Sequence, residues 1–237
     1  MKDITNNSSL PAPTDQCGLS RKTIERLSML RRALTDLRQT ENPGFVRSHQ
    51  IAAMCGSEAA QMRRDLMTIG AKGHPGHGYS VTALSDRLES LFEGIGQHKV
   101  AVVGLGNLGR ALIEHFHRRY ERMSVVALFD NDPEKTGRVL HGIRSFPMDQ
   151  FRQVARDMGI SIAVLAVPDS AAQQVADQLV AGGVTGILNF GPLSLRVPES
   201  VQMDNVDITA ALDRLAFFSR KQPAAEPAPN EVKSCRT

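Results

Sequence analysis

Apolar side chains recur at intervals of three and four through Ile24, Leu27, Leu30, Leu34 and Leu37, so Leu19 to Thr40 predicts an amphipathic helix. Ser20 can cap its start, and Asn42-Pro43-Gly44 ends it. A shorter helix fits Ser48 to Met54, where Ile51, Ala52 and Met54 are apolar. Cys55-Gly56 breaks the pattern, and Ser57 is placed to cap a further helix running to about Ile69. On that helix Ala59, Met62, Leu66 and Ile69 face a core. Gly70, Gly73, Gly76, Gly78 and Pro75 then forbid a helix, and the chain returns through a short strand at Tyr79-Ser80-Val81. Leu84 to Phe92 closes the region with a helix carrying Leu84, Leu88 and Leu91 on one side. Gly94-Ile95-Gly96 reads as a linker.

Past the linker the pattern changes to short segments, several of them apolar runs, separated by helical stretches. Val100–Val103, Val125–Phe129, Ile143–Met148, Ile160–Pro168, Gly186–Phe190 and Val201–Asp207 predict strands. Helical stretches lie between them, around Ala111–Phe116, at Asp149–Met158 and at Ala171–Ala181. Strands alternating with helices predict a doubly wound parallel sheet covered on both faces. Ile208 to Ser219 forms a last helix with Ile208, Ala211, Leu212, Leu215 and Phe218 on one face. No strand is left for that face to cover, so a partner chain is expected there. The predicted class is α/β, with an N-terminal winged helix-turn-helix domain followed by a Rossmann-type sheet. The expected divisions are a disordered tail at 1–19, the winged-helix domain at 20–93, the sheet domain at 94–207, a dimerisation helix at 208–222 and a second tail at 223–237.

The first of those strands runs into Gly104-Leu105-Gly106-Asn107-Leu108-Gly109, a G-x-G-x-x-G at a strand-to-helix junction. Gly104 allows a tight turn, Gly106 admits a pyrophosphate against bare backbone, and Gly109 lets helix and strand approach. The free N–H groups of the helix N-terminus then receive the phosphates. The next strand ends in Asp130, 21 positions after Gly109. An acid about 20 residues on is the expected ligand of the adenosine ribose hydroxyls. Its charge repels a 2′-phosphate, so NADH or NAD+ is favoured over the phosphorylated cofactor. Pro168, Asn189 and Phe190 follow later strands and fall at the carboxyl edge of the sheet, where ligands bind.

Charge is uneven along the chain. Between Ser20 and Ser80 stand ten Lys and Arg against five Asp and Glu, a balance of +5, while the whole chain is +3 and the rest is therefore −2. A basic module beside a mildly acidic one points to a polyanion ligand for the first. Helix, glycine turn and capped helix is the spacing of a helix-turn-helix. Ser57, Gln61, Arg63 and Arg64 are candidate DNA contacts, with Arg63 and Gln61 suited to base edges and Arg64 to phosphate. The same spacing also fits a plain helical hairpin with surface arginines. In the glycine-rich loop Lys72, His74 and His77 can reach phosphates or a minor groove, as a wing would. The two histidines lack a third ligand nearby, which speaks against a metal.

Cys17, Cys55 and Cys235 form neither a disulfide framework nor a zinc motif, which suits a reducing cytoplasm. The longest apolar run, Ile162 to Pro168, is too short to span a bilayer, and the polar stretch Met1 to Pro13 does not read as a signal peptide.

These residues together resemble the Rex family of redox-sensing transcriptional repressors. The resemblance runs from about Ser20 to Phe218. It rests on Cys55-Gly56-Ser57, Met62-Arg63-Arg64-Asp65-Leu66, Gly76-His77-Gly78-Tyr79, the glycine loop through Leu112, Leu188-Asn189-Phe190 and Asn205-Val206-Asp207. It implies a homodimer whose C-terminal helix is exchanged between subunits, NADH in the sheet domain, and an inverted-repeat operator on double-stranded DNA released when NADH rises. It also implies that Asp207 sets a hinge and that Ile208 packs near the nicotinamide of the other subunit. The chain departs from the family at Thr68-Ile69, where an aromatic pair is usual, and at His115, a switch position where relatives often carry Tyr. The competing reading is a small NAD-dependent oxidoreductase. Against it, the sheet consumes the second half of the chain, and no Tyr-x-x-x-Lys or similar proton-transfer pair follows the Ile160–Pro168 strand.

Overall fold

Helix α1 (Arg21–Thr40) forms where the apolar stripe predicts it, and Leu27, Leu30 and Leu34 are wholly buried along that stripe. The Ser20 hydroxyl accepts the Thr23 N–H at 3.2 Å, the expected cap. The tail boundary drawn at residue 19 is corrected: Leu19 is buried in the same core as α1. The computed structural model describes residues 18–40, 43–93, 98–117, 123–191 and 195–219. The two tails, the linker glycines and Asn42 lie outside the described residues. The chain separates into two units, 1–96 and 97–237.

In the first unit, β1 (Phe45–Val46) precedes α2 (Ser48–Met54) and α3 (Ala59–Thr68). The cap assigned to Ser57 is corrected: Glu58 holds the N-cap position of α3 and makes no side-chain cap bond. The Ser57 N–H instead closes the turn on the Ala52 carbonyl at 2.9 Å. Strand β2 (Tyr79–Ser80) pairs antiparallel with β1, which is too short for its pattern to register in the sequence. Val81 begins α4 (Val81–Glu93) rather than extending the strand. The loop before β2 folds on itself through a His74–Gly78 bridge. A Cβ on Gly78, at φ +91°, would meet the Val46 carbonyl at 2.5 Å, so only glycine closes this wing on β1. Helix, turn, helix and β-ribbon form a winged helix-turn-helix.

The second unit runs β3 (His98–Val103), α5 (Asn107–His117), β4 (Met123–Asp130), β5 (Val139–Leu140), β6 (Ile143–Pro147), a 3-10 turn at Met148–Gln150, α6 (Phe151–Met158), β7 (Ile160–Leu165), α7 (Asp169–Ala181), β8 (Gly186–Asn189), β9 (Gln202–Asn205) and α8 (Ile208–Phe218). The sheet order is β5-β6-β4-β3-β7-β8-β9, and every pairing is parallel except β5 with β6. Without the added edge strand β5, this is the doubly wound order with its switch between β3 and β7. Successive residues of β3 serve opposite faces: Ala101 and Val103 pack with Phe129, Phe151 and Leu179, whereas Val100 and Val102 pack with Ile113 and Leu128. Burial on both faces is why these strands read as unbroken apolar runs.

Candidate nucleotide site and nucleic-acid interface

Parallel pairing brings the carboxyl ends of the strands to one edge of the sheet. The loop residues there continue the ladder. Gly104 donates to the Phe129 carbonyl, Ala166 to Val103 and Phe190 to Leu165, at 2.8, 2.8 and 3.0 Å. The glycine loop therefore lies beside the ends of β4 and β7, which is the switch point.

Each loop glycine has a distinct constraint. Gly104 sits at φ +97°, and a Cβ there would fall 2.3 Å from the Ala166 carbonyl oxygen. A Cβ on Gly109 would fall 1.8 Å from the Gly104 carbonyl oxygen. Nothing lies within 4 Å of the Cβ position on Gly106. Two glycines are thus demanded by the protein's own backbone, and the third faces open space. Leu105 is buried, while Asn107 and Leu108 begin α5 with exposed side chains.

The Leu105 N–H donates to Asp130 Oδ2 at 2.7 Å, and the Asp132 N–H to Asp130 Oδ1 at 2.8 Å. The carboxylate is held at the loop with acceptor sites remaining on both oxygens. The sequence reading did not single out Lys135, whose Nζ lies 3.8 Å from Asp130 and 3.2 Å from Asp132. Its placement three residues after Asp132 was the available signal.

Asn189 is fully buried; its Nδ2 donates to Asn205 Oδ1 at 2.8 Å and its Oδ1 accepts the Gly191 N–H at 2.9 Å. These bonds pin the turn after β8, so the side chain shapes the site's edge. Phe190 is half-buried against the Val102 and Val164 side of the sheet. Pro168 is exposed at the N-cap of α7. His115 is exposed on α5, with its ring edge-on to Phe116. Asp207 caps α8 by accepting the Ala210 N–H at 2.8 Å. No residue of α8 is buried; Ile208 is 56% and Phe218 81% exposed.

In the first unit, Arg63 and Arg64 are both exposed on α3 but engage different partners. Arg63 Nη1 donates to Ser48 Oγ, at the start of α2, at 3.1 Å. Arg64 Nη2 donates to Gln61 Oε1 at 2.9 Å, and Gln61 Nε2 donates to Asp65 Oδ1 at 2.9 Å. Asp65, only 3% exposed, also accepts from Arg26 Nη2 at 3.0 Å and from Thr23 Oγ1 at 3.4 Å. Burial pushes the Asp65 carboxyl up, but the bonds from Arg26, Gln61 and Thr23 prevail and hold it below the usual carboxylate range. The same bond to Asp65 raises the Arg26 guanidinium. This cluster joins α1 to α3 across 39 positions. Its signal in the sequence is an acid on the apolar stripe of α3, between Met62 and Ile69.

Arg47, Ser48, His49, Arg63, His74 and Tyr79 line an open cleft between α2, α3 and the wing. The Phe45 ring meets the His74 and His77 rings at 5.5 and 5.6 Å between centroids. Lys72, His74 and His77 are exposed. Among the described residues no three His, Cys, Asp or Glu side chains gather as metal ligands, and no helix is long and apolar enough to cross a membrane.

Two family models match the chain: "putative DNA-binding protein N-terminus" over residues 18–66, and "CoA binding domain" over residues 96–193. The redox-sensing transcriptional repressor Rex of Streptomyces coelicolor is 38% identical over 94% of this chain and 86% of its own length. That of Latilactobacillus sakei is 37% identical over 77% and 88%. The crystal structure of RSP, a Rex-family repressor, superposes with a TM-score of 0.76 at 26% identity, covering 84% of this chain and 94% of that one. RSP in complex with β-NAD+ and operator DNA gives 0.75 at 27% identity, again over 84% of this chain and 92% of that one. With strong relatives spanning both units, this chain belongs to the Rex family of redox-sensing transcriptional repressors.

Proposed function

We propose that this protein is a cytoplasmic, homodimeric repressor that binds an inverted-repeat operator and releases it when NADH enters the sheet domain. The observation that carries the ligand reading is the bond from the Leu105 N–H to Asp130, which sets an acid beside a glycine loop open at Gly106. Gly106, Asn107 and Leu108 receive the pyrophosphate with their backbone, within the loop that Gly104, Leu105 and Gly109 hold in shape. Asp130 takes the adenosine ribose hydroxyls. Pro168 and Phe190 wall the nicotinamide side, and Asn189 fixes the turn between them and β9. Lys135 and Arg138 offset part of the charge at Asp132, but the Asp130 carboxylate at the ribose position itself disfavours a 2′-phosphate. RSP has been solved with β-NAD+ and operator DNA and with β-NADH, which supports the same ligand here.

The exposed apolar face of α8 supports exchange of this helix with a second copy, with Asp207 fixing the angle at which it leaves the sheet and Ile208 reaching the other copy's pocket. His115, on the helix that follows the glycine loop, is the switch candidate of this unit. NADH shifts the dimer only by binding its non-DNA form better, a coupling of about 1–3 kcal/mol in typical switches. An uncharged reduced ring loses less on entering an apolar pocket than the cationic oxidised ring.

On DNA, the two arginines take different roles. Arg63 bonds Ser48 at the start of α2, the helix that crosses the phosphate backbone in this motif, so Arg63 binds phosphate. Arg64 projects from the exposed side of α3, braced by Gln61, and reads a base edge. Ser57, Lys72, His74 and His77 add backbone contacts. Gln61, bonded to Asp65, supports Arg64 and does not itself read adenine. The relatives are named as repressors, which sets the oxidoreductase reading aside. The test is a mobility assay with the full chain on an operator selected by it, titrating NADH, NAD+ and NADPH separately. Release at the lowest concentration by NADH is expected. Equal release by NADPH removes Asp130 from the ribose.

A further inference from the structure

We propose that Met67 is a specificity residue that reads a thymine methyl group in the operator. The inference rests on the reading of α3 as the recognition helix. Met67 is 72% exposed, well above any other exposed large apolar side chain described in the first unit. Scattered exposed apolar residues are ordinary on a protein surface, so exposure alone decides nothing. Position decides more. At 100° per residue, Ala60, Arg64 and Met67 fall on one stripe, opposite the buried Met62, Asp65, Leu66 and Ile69. That stripe is the centre of the exposed side of α3. It presents a small residue, a cation and a flexible apolar chain in order along the helix.

Its backbone is fixed. The Met67 carbonyl accepts the Gly70 N–H at 2.9 Å, and the Ala71 N–H bonds the Leu66 carbonyl at 2.9 Å, closing the helix end at the left-handed Gly70. The side chain therefore extends from a rigid base while keeping three rotatable bonds. Ala60 gives the helix room to approach base edges. Arg64 supplies donors for guanine. What remains for Met67 is set by the chemistry of the major groove, where the thymine C5-methyl is the one apolar group on any base edge. Arg64 and Met67 are separated by about 4.5 Å along the helix axis, so the thymine lies one or two base pairs from the base that Arg64 reads.

The experiment uses the full chain and a duplex selected by it from a random inverted-repeat library. Each thymine is replaced singly by deoxyuridine, which removes the methyl and leaves the hydrogen-bonding edge intact. Affinity is measured at fixed salt for the natural protein, Met67→Ser, Met67→Leu and Arg64→Ala. At one thymine per half-site, within two base pairs of the base whose substitution Arg64→Ala tolerates, the natural protein loses about fourfold, the worth of one buried methyl group. Met67→Ser abolishes that penalty, Met67→Leu keeps it, and penalties at other thymines are the same in all three. A deoxyuridine penalty that Met67→Ser leaves unchanged, or a selected site with no thymine there, overturns the inference. If Arg64→Ala keeps the full preference for operator over random duplex, it is the recognition-helix reading that fails, and the Met67 inference with it.

Discussion

The proposed nucleotide site in the glycine loop and the proposed DNA-reading site on α3 are built from opposite materials. From Gly104 to Gly109 the site consists of backbone, and two glycines exist because neighbouring carbonyls leave no room for a Cβ. On α3 the site consists of side chains, held by a lattice from Arg26 through Asp65 and Gln61 to Arg64. The first fails when atoms are added, the second when atoms are removed. The two units of one chain thus face different mutational hazards.

The largest effect tests the first half of that contrast. Gly109→Ala forces a methyl to within 1.8 Å of the Gly104 carbonyl oxygen. Backbone on both sides cannot yield as a side chain would, so a loss of roughly 3 kcal/mol or more of stability is expected. Gly106→Ala has open space at the same atom and should leave the unliganded melting temperature unchanged while weakening NADH binding. Calorimetry on both variants, with and without NADH, checks this. Equal destabilisation by the two would break the distinction between the packing glycines and the ligand-facing one.

Asp65 carries the other half. Asp65→Ala strands Arg26 and releases Gln61, and should cost about 3–5 kcal/mol, as removal of one partner from a buried pair does. A pH measurement separates charge from packing. The folded-state carboxyl lies below its ordinary value of 3.8, so its contribution to stability is complete above that value and is lost as pH falls through the folded value. The stability gap between the natural protein and Asp65→Asn should therefore be constant above about pH 5 and shrink below it. A gap independent of pH down to acid unfolding would mean that the carboxylate charge contributes nothing.

The same contrast explains what was legible in the sequence. A backbone site advertises itself, because glycine is the one residue that meets its demands and the spacing follows from the strand-to-helix turn. The tight turn expected at Gly104 and the close approach expected at Gly109 are both present in the backbone, and Gly106 keeps open space at its Cβ position. The sheet was legible for a related reason: burial on both faces of the central residues of β3, β4 and β7 leaves only apolar residues to place there. A side-chain lattice is quieter. Nothing between Arg26 and Asp65 says that they meet, and the spacing of α3 could not tell which arginine turns toward α2. Strand β1 escaped because two residues carry no period, and the cap was misassigned because Ser57 is consumed by the turn before the helix starts.

The smallest effect sharpens the lattice itself. If Arg63 and Arg64 divide the DNA between them as their bonds to Ser48 and Gln61 indicate, their removal must differ in kind. Arg64→Ala deletes a base contact, and its consequence depends on sequence. Arg63→Ala deletes one phosphate contact, so affinity should fall alike on operator and random duplex. Each neutralised phosphate contributes about 0.9 to the slope of log affinity against log salt, so the slope should flatten by about one unit for each arginine lost. At moderate salt the loss itself is modest, which is why the slope rather than a single affinity is the measurement. A dimer that loses two such contacts should flatten by about two units, giving the same titration a second reading on stoichiometry. Should Arg63→Ala instead change the preference among operator variants and leave the slope alone, the bond to Ser48 is a resting position, and the guanidinium turns into the groove when DNA arrives.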